Sequence, residues 1–372
     1  EFGGFKHPDA ITYEAAAMIS FGASCNFGDQ LHPSGEMDMD TYRNIGKAYE
    51  YVEKIEDYGP GGIPVSKLGI WLSLEEAADN GVVNMLLETH HDFVVAMENN
   101  LDDLELIIVP SAPSMTSEQA DKLNAWVQNG GKLIVFGEGA LDKGRTKFLL
   151  DVGTEYIKPS DFQFDYTVVK KEITENIVES PFLNYDAGLL TKPTTGEVLA
   201  AMREPYFNRT YAQFSGHRET PYKLVDSEYP AVVRNGNVIF FAHGLDRLYY
   251  ENGVRMHRQL VENAIDLLYD KPLLKVANLP SAGRVSLLKQ EKDNRYVAHL
   301  LYSPALLRGV EIQVIEDFPP IPDVDLEVNV SEEIKEVVQI PSGEKLDFTK
   351  QSNGISIKVP TFTMHTGIVL KY

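Results

Sequence analysis

The feature that most constrains this chain is the alternation between residues 66 and 150. "LELIIVPS" and "KLIVFGEG" are almost continuously apolar, and helical stretches, "EEAADNGVVNMLLETH" and "TSEQADKLNAWVQNGG", lie between the strand segments. A strand with one face in water alternates apolar and polar residues. A strand that is apolar throughout is covered on both faces. Such strands, joined by helices, point to a parallel, doubly wound sheet. "KLGIWLS" and "DFVVAM" read as two further strands of the set. Thr116 or Ser117 is placed to cap the second helix, and Gly130-Gly131 to end it. "RMHRQLVENAIDLLYD" predicts another helix of the same domain over 255–269.

The flanking regions read differently. Residues 1–58 suggest turn, helix, strand, turn, helix. Pro8-Asp9 opens "AITYEAAAMISFGA", "SCNFGD" reads as a short buried strand, and Asp38 or Asp40 caps "DTYRNIGKAYEYVEKIED". "YGPGGIPVS" reads as a Pro/Gly linker and a domain boundary. Residues 151–253 look antiparallel, and "RNGN" carries an Asn-Gly hairpin signal. From Lys271 onward strands dominate, as expected of a small β-sandwich. The expected division is therefore 1–58, then 59–270 with an insertion at about 151–253, then 271–372.

Composition narrows the partners. Of 372 residues, 34 are Lys or Arg and 55 are Asp or Glu, giving a net charge of −21. That field repels phosphate backbones and anionic lipid, so neither nucleic acid nor a membrane is expected as partner. Cys25 is the only cysteine, so no intramolecular disulfide can form. No apolar run reaches membrane-spanning length. The first residues lack the basic and apolar regions of a signal peptide. They begin in mid-motif, which suggests a piece of a longer protein. A soluble protein is expected, with cytoplasm and periplasm both open.

Three stretches carry a resemblance. "YGPGGIPVSKLGIWLS", "LIIVPSAPSMTSEQADKLNAWVQNGGKLIVFGEGAL" and "HGLDRLYYENGVRMHRQLVENAIDLL" resemble the β-galactosidase trimerisation-type domain, a flavodoxin- or class I amidotransferase-like module. Upstream, "FGDQLHPSGEMDMDTYRNIGKAYEYVEKIE" is similar to the end of the TIM barrel in α-L-fucosidase-like glycoside hydrolases of family 151. The terminal strands resemble the sandwich that closes those enzymes. The resemblance implies an α/β plus β architecture: the end of a TIM barrel, an amidotransferase-like α/β domain and a C-terminal β-sandwich. "EFGGF" would end barrel strand seven, and "SCNFGDQLHP" would be strand eight with its loop. It also implies a carbohydrate substrate in the full-length enzyme and homo-oligomers; no cofactor is expected, since "GEGALDKG" matches neither the G-x-G-x-x-G nor the P-loop pattern.

The candidate site follows from that placement. TIM-barrel active sites lie at the C-terminal ends of the strands, which nominates Glu1 and Asp29 as catalytic carboxyls and Gln30 and His32 as sugar-binding groups. Asp29 and His32 could equally do no more than satisfy local backbone. Glycoside hydrolysis needs two carboxyls at a fixed separation, and roughly six βα units of a barrel are absent here. The chain alone is therefore expected to be inactive. The alternatives are a non-catalytic carbohydrate-binding or assembly module and a β-galactosidase-type glycosidase. No metal site is expected, because adjacent His90 and His91 would point about 100° apart on a helix. The strand-end turns "VPSAPS" and "FGEGA" offer Ser111 and Glu138 but no cysteine, so amidotransferase chemistry is not expected. Arg247, Tyr249 and Tyr250 form an aromatic–basic cluster, read either as reaching toward a neighbouring active site or subunit or as a packing patch.

Overall fold

The computed structural model describes residues 3–372. It divides into two compact units. One comprises residues 1–66, 87–92 and 271–372, and the other residues 67–86 and 93–270.

The second unit is built on one nine-stranded sheet. Its strand order is Val94–Val95, Leu68–Ile70, Leu106–Val109, Lys132–Phe136, Val238–Phe241, Pro230–Asn235, Glu197–Arg203, Asp165–Val169, Phe182–Asn184. The first five strands run parallel and the remaining pairs are antiparallel. Leu106, Ile107, Ile108 and Val109 are fully buried, as an apolar strand covered on both faces requires. The segment read as an insertion thus extends the same sheet. The reversal of strand direction happens at the Asn-Gly hairpin, where Gly236 takes φ +58° between Asn235 and Val238. Thr116 caps the helix Ser117–Gln128 with a reciprocal bond to Gln119. The helix Arg255–Leu268 buries Leu260, Val261, Ala264, Ile265 and Leu268 in this unit's core.

In the first unit, helices α1 (Pro8–Ser20) and α2 (Met39–Val52) precede the strands. Asp38 is the N-cap of α2, its carboxylate accepting from the amides of Asp40 and Thr41. A five-stranded antiparallel sheet takes Ile63–Pro64, Gly283–Gln290, Arg295–Tyr302, His365–Lys371 and Glu336–Ile340 in that order. A four-stranded one takes Leu274–Ala277, Val324–Val328, Gly354–Val359 and Thr349–Gln351. Both sheets contribute to one apolar core, with Leu287, Ala298, Leu300, Ile368 and Leu370 from the first and Leu274, Leu326, Ile355 and Ile357 from the second. Alternate residues of the five-stranded sheet, Val297, Leu301, Ile340 and Val369, pack instead with Ala15, Ala16 and Ile19 of α1 and Ala48 and Val52 of α2. This is why "RYVAHLLYS" is apolar on both faces: the helical segment covers the face that a free two-sheet domain would turn to water.

One expectation is corrected here. Residues 23–38 form no strand, and Ser24, Asn26, Gly28 and Asp29 are exposed. A strand exists only where a neighbour accepts its ladder, and among the described residues this segment has none. The Pro/Gly stretch ends at Ser66, where the first unit gives way to the second along the chain, and it is packed. A Cβ on Gly59 would lie 2.1 Å from the carbonyl oxygen of Ile19, so only glycine lets this turn approach the end of α1.

Candidate functional site

In the first unit, the start of the chain, α1, the 27–38 loop and the first half of α2 enclose a cavity of about 730 Å³. That is within the size range of small-ligand sites. Its polar lining includes Glu14, Asp29, Gln30, His32, Glu36 and Asp38, and its apolar lining includes Phe5, Ile11, Phe27, Leu31, Met37 and Ile45. Asp29, Gln30 and His32, nominated from the sequence, therefore line one space. Glu1 lies outside the described residues.

The loop is held partly by its own side chains. Asp29 Oδ1 accepts from the Gln30 amide at 2.8 Å. His32 Nδ1 lies 2.8 Å from Ser34 Oγ and accepts from the Ser34 amide at 3.1 Å. Asp29 and His32 thus satisfy local backbone, and with Gln30 they border the cavity.

The sequence reading did not nominate Glu14. Its carboxylate receives Lys6 Nζ at 2.6 and 2.9 Å, and both residues line the cavity. The signal was present. Glu14 stands three residues after Ile11 on a helix of mostly small and apolar residues, and i, i+3 positions share a face. The one cysteine lies near this segment: burial pushes the Cys25 thiol up, opposed by its bond with Tyr49.

The second unit gathers a different set of polar groups. Asp165 Oδ1 lies 2.6 Å from His243 Nε2, and Asn184 Nδ2 donates to the same oxygen and to Thr167 Oγ1, each at 2.8 Å. Asp165 Oδ2 accepts from the Gly188 amide at 2.9 Å, and His257 Nε2 meets Asn184 Oδ1 at 3.2 Å. All five side chains are buried. Burial lowers His257 to a pKa of about 4, so it is neutral at physiological pH. Sequence spacing gave no hint of this cluster, because apart from Asp165 and Thr167, on one strand, its members stand far apart on separate elements.

The strand-end turns of this unit, with Ser111, Glu138 and Arg247, border a small cavity of about 170 Å³, and Glu138 pairs with Arg145 at 2.9 Å. Asp246 is fully buried, and its carboxylate accepts from the backbone amides of Ser111 at 2.7 Å and Arg247 at 2.8 Å. Burial raises it to a pKa of about 6, against those hydrogen bonds. An oxyanion site at the Ser111 turn would need that amide free. Arg247 pairs with Asp186 at 3.0 Å, Tyr249 is buried, and Tyr250 is exposed. His90 and His91 follow the end of a helix rather than lying on it. His90 Nε2 donates to the Pro280 carbonyl at 3.1 Å, and burial holds His91 at a pKa of about 4. Among the described residues no group of three His, Cys, Asp or Glu is placed to hold a metal, and no helix is long and apolar enough to cross a membrane.

No family model and no curated protein sequence matches the chain. Solved structures do. The chain superposes over its full length on α-L-fucosidase isoenzyme 2 from Paenibacillus thiaminolyticus, with a TM-score of 0.95 and 29% identity, and spans 58% of that chain. Gan42B, a GH42 β-galactosidase from G. stearothermophilus, matches 98% of the chain with a TM-score of 0.62 at 12% identity, over 51% of its own length. The β-galactosidase from Bacillus circulans sp. alkalophilus matches 89% with a TM-score of 0.54 at 12% identity, over 45% of its length. The chain thus shares its mixed α/β and β architecture with parts of glycoside hydrolases and spans 45–58% of their lengths.

Proposed function

We propose that this chain is the C-terminal region of a glycoside hydrolase of α-L-fucosidase type. The observation that carries the reading is the full-length superposition on the fucosidase at 29% identity. On this reading α1, the 27–38 loop and α2 are the end of a TIM barrel. The two antiparallel sheets are the closing β-sandwich, and the nine-stranded unit is the trimerisation-type domain. The cavity is then one wall of a sugar site. Asp29, Gln30 and His32 present planar polar groups that suit paired hydroxyls, and the exposed Phe5 and Leu31 offer apolar surface to a sugar ring. In the whole enzyme one carboxyl attacks the anomeric carbon or activates water while another protonates the leaving oxygen. The two stand about 5 Å apart for retention or about 6.5–9.5 Å apart for inversion. Asp29 and Glu1 are the proposed contributions of this chain to that pair, and further barrel units supply the opposite wall.

The test is turnover. The chain alone should cleave aryl α-L-fucosides and aryl β-galactosides at background rate, because an open wall cannot hold both sides of one bond. Adding the polypeptide equivalent to the remainder of the fucosidase should restore α-L-fucoside cleavage, and Asp29→Ala should then lower it. Hydrolysis by the chain alone, indifferent to Asp29, would place the chemistry elsewhere. Restored cleavage of β-galactosides in preference would favour the β-galactosidase-type reading. Sugar binding without restorable turnover would favour a carbohydrate-binding module. Self-association belongs to the same reading, and sedimentation showing only monomer at all concentrations would remove it.

A further inference from the structure

In the unit that carries the cavity, the buried histidines of the five-stranded sheet form a single chain of hydrogen bonds. His299 Nε2 lies 3.0 Å from the carbonyl oxygen of Tyr58. His299 Nδ1 lies 3.0 Å from His365 Nε2. His365 Nδ1 lies 2.9 Å from the hydroxyl of Tyr51, whose other neighbour, the His365 carbonyl, is at 3.5 Å. Both rings are buried, His299 at 0% and His365 at 3% exposure.

The protons in this chain can be assigned by elimination. A carbonyl only accepts, so His299 carries its proton on Nε2. A neutral His299 then accepts at Nδ1, so His365 must donate from Nε2. Neutral His365 accepts at Nδ1, so Tyr51 donates its hydroxyl proton there. Every donor has one acceptor, and the direction is fixed from α2 to the turn at Tyr58. A second proton on His299 would set two N–H groups against each other at 3.0 Å, unless His365 moved its own proton to Nδ1 and Tyr51 turned to accept.

We infer that this chain is an acid-sensitive latch that fastens the C-terminal half of α2 and the Tyr58 turn to the five-stranded sheet. Tyr51 comes from α2, Tyr58 from the turn, and the two histidines from adjacent strands. α2 also supplies Thr41, Asn44 and Ile45 to the cavity wall, so the latch sets how firmly that wall is held. The groups facing the rings are few. His365 meets His299 and Tyr51, and His299 meets His365 and the Tyr58 carbonyl. Beside the Tyr58 turn, Arg295 stacks on the Tyr58 ring at 4.6 Å from its centroid. Burial holds His299 at a pKa of about 4 and keeps His365 well below the usual histidine range. Opening α2 exposes rings that take up protons near the ordinary value of about 6.5, so acid favours the open form.

The experiment reads the latch directly and does not depend on what the cavity binds. Nitrogen chemical shifts at pH 7 should report the Nε2–H tautomer for both histidines. An Nδ1–H tautomer at either ring would overturn the proton assignment. Amide exchange, corrected for intrinsic rates, should show α2 protection falling between about pH 6 and pH 4.5, by about tenfold per pH unit for each histidine protonated on opening. The helix Ser117–Gln128, which contains no histidine, serves as the reference. His365→Phe should flatten the acid dependence of α2, and an unchanged slope would refute the latch. Tyr51→Phe keeps the packing, and so serves if His365→Phe fails to fold. It should lower α2 protection several-fold at pH 7, and no change would refute the latch equally.

Discussion

The 27–38 loop and the Asp165 cluster are both polar, carry acid and imidazole groups, and differ in nearly everything else. The loop is exposed, borders a cavity, and bonds to backbone within a few residues of itself. The cluster is buried and joins residues up to 92 positions apart into one network. Hydrogen bonding reaches its full value only where water cannot compete, and the penalty for a missing partner rises in step. The cluster therefore holds structure together, while the loop retains polar surface that a ligand can still engage. Titratable residues close together in sequence were the visible candidates, and the strongest polar network lay among those far apart.

The contrast breaks most easily at Asp165. Asp165→Ala leaves His243 and Asn184 buried without their shared acceptor and should destabilise the second unit by about 3–5 kcal/mol. Asp29→Ala, in the exposed loop, should change stability by no more than about 0.5 kcal/mol. Urea unfolding of the two variants decides this. Comparable losses would mean that the loop is structural too.

Asp246 tests the buried side through pH. Its folded carboxyl titrates near 6, against 3.8 for the free group, because burial outweighs the amides of Ser111 and Arg247. Between those values the folded state holds the extra proton, so this group's contribution to stability falls as pH rises through the window, by about 3 kcal/mol in all. His257 acts oppositely. Its depressed pKa of about 4 makes stability fall as pH drops below the ordinary histidine value. Comparing wild type with Asp246→Asn cancels the histidine part. The variant should lose the Asp246 slope and also sit lower throughout, since its amide group would face one of the two backbone N–H donors. Parallel stability curves would show that Asp246 stays charged.

What was legible in the sequence follows the same division. Local chemistry was readable: Pro8 at the start of α1, Asp38 or Asp40 before α2, Thr116 or Ser117 before the later helix, and the Asn235-Gly236 turn all depend on neighbours a few residues away, and the structure selects Asp38 and Thr116. The buried parallel strands were readable because covering both faces demands continuous apolar residues. The "SCNFGD" segment misled because the same composition suits an extended loop, and only a ladder partner distinguishes the two. "RYVAHLLYS" contained the evidence that α1 and α2 cover the sheet, but periodicity alone cannot say what lies on the second face. Asp29, Gln30 and His32 were nominated because the resemblance placed their segment at a barrel strand end, and they line one cavity because they are near neighbours in one loop. Glu14 was missed because it reaches the cavity from a separate helix, and the partners of Asp165 because only the sheet topology collects them.

A smaller effect separates capping from ligand binding at one residue. Asp38 both caps α2 and lines the cavity. Asp38→Ala should cost about 1 kcal/mol, and Asp38→Asn, which still caps, much less. Thermal unfolding gives the capping part. If Asp38→Asn keeps stability but weakens the binding of L-fucose, measured by titration calorimetry, the charge serves the cavity. Equal affinity would leave Asp38 as a cap alone.

The smallest stability effect should come from Lys6, and it bears most directly on the comparison. Lys6 and Glu14 form an ion pair with side chains 55% and 39% exposed. Pairs so open to solvent contribute about 0–1 kcal/mol, because water and salt screen them and holding two long side chains costs entropy. Lys6→Met should therefore leave unfolding within about 0.5 kcal/mol of wild type. Its effect on the cavity need not be small. The substitution removes the cation that occupies the Glu14 carboxylate and frees both oxygens to accept from a sugar hydroxyl. If Glu14 is a ligand-facing group, L-fucose affinity should change several-fold while stability stays still, and Glu14→Gln should move affinity again. If the pair is only surface, neither quantity moves. A large loss of stability would mean that this rim is as structural as the Asp165 cluster, and the distinction between the two regions would fail at its most exposed point.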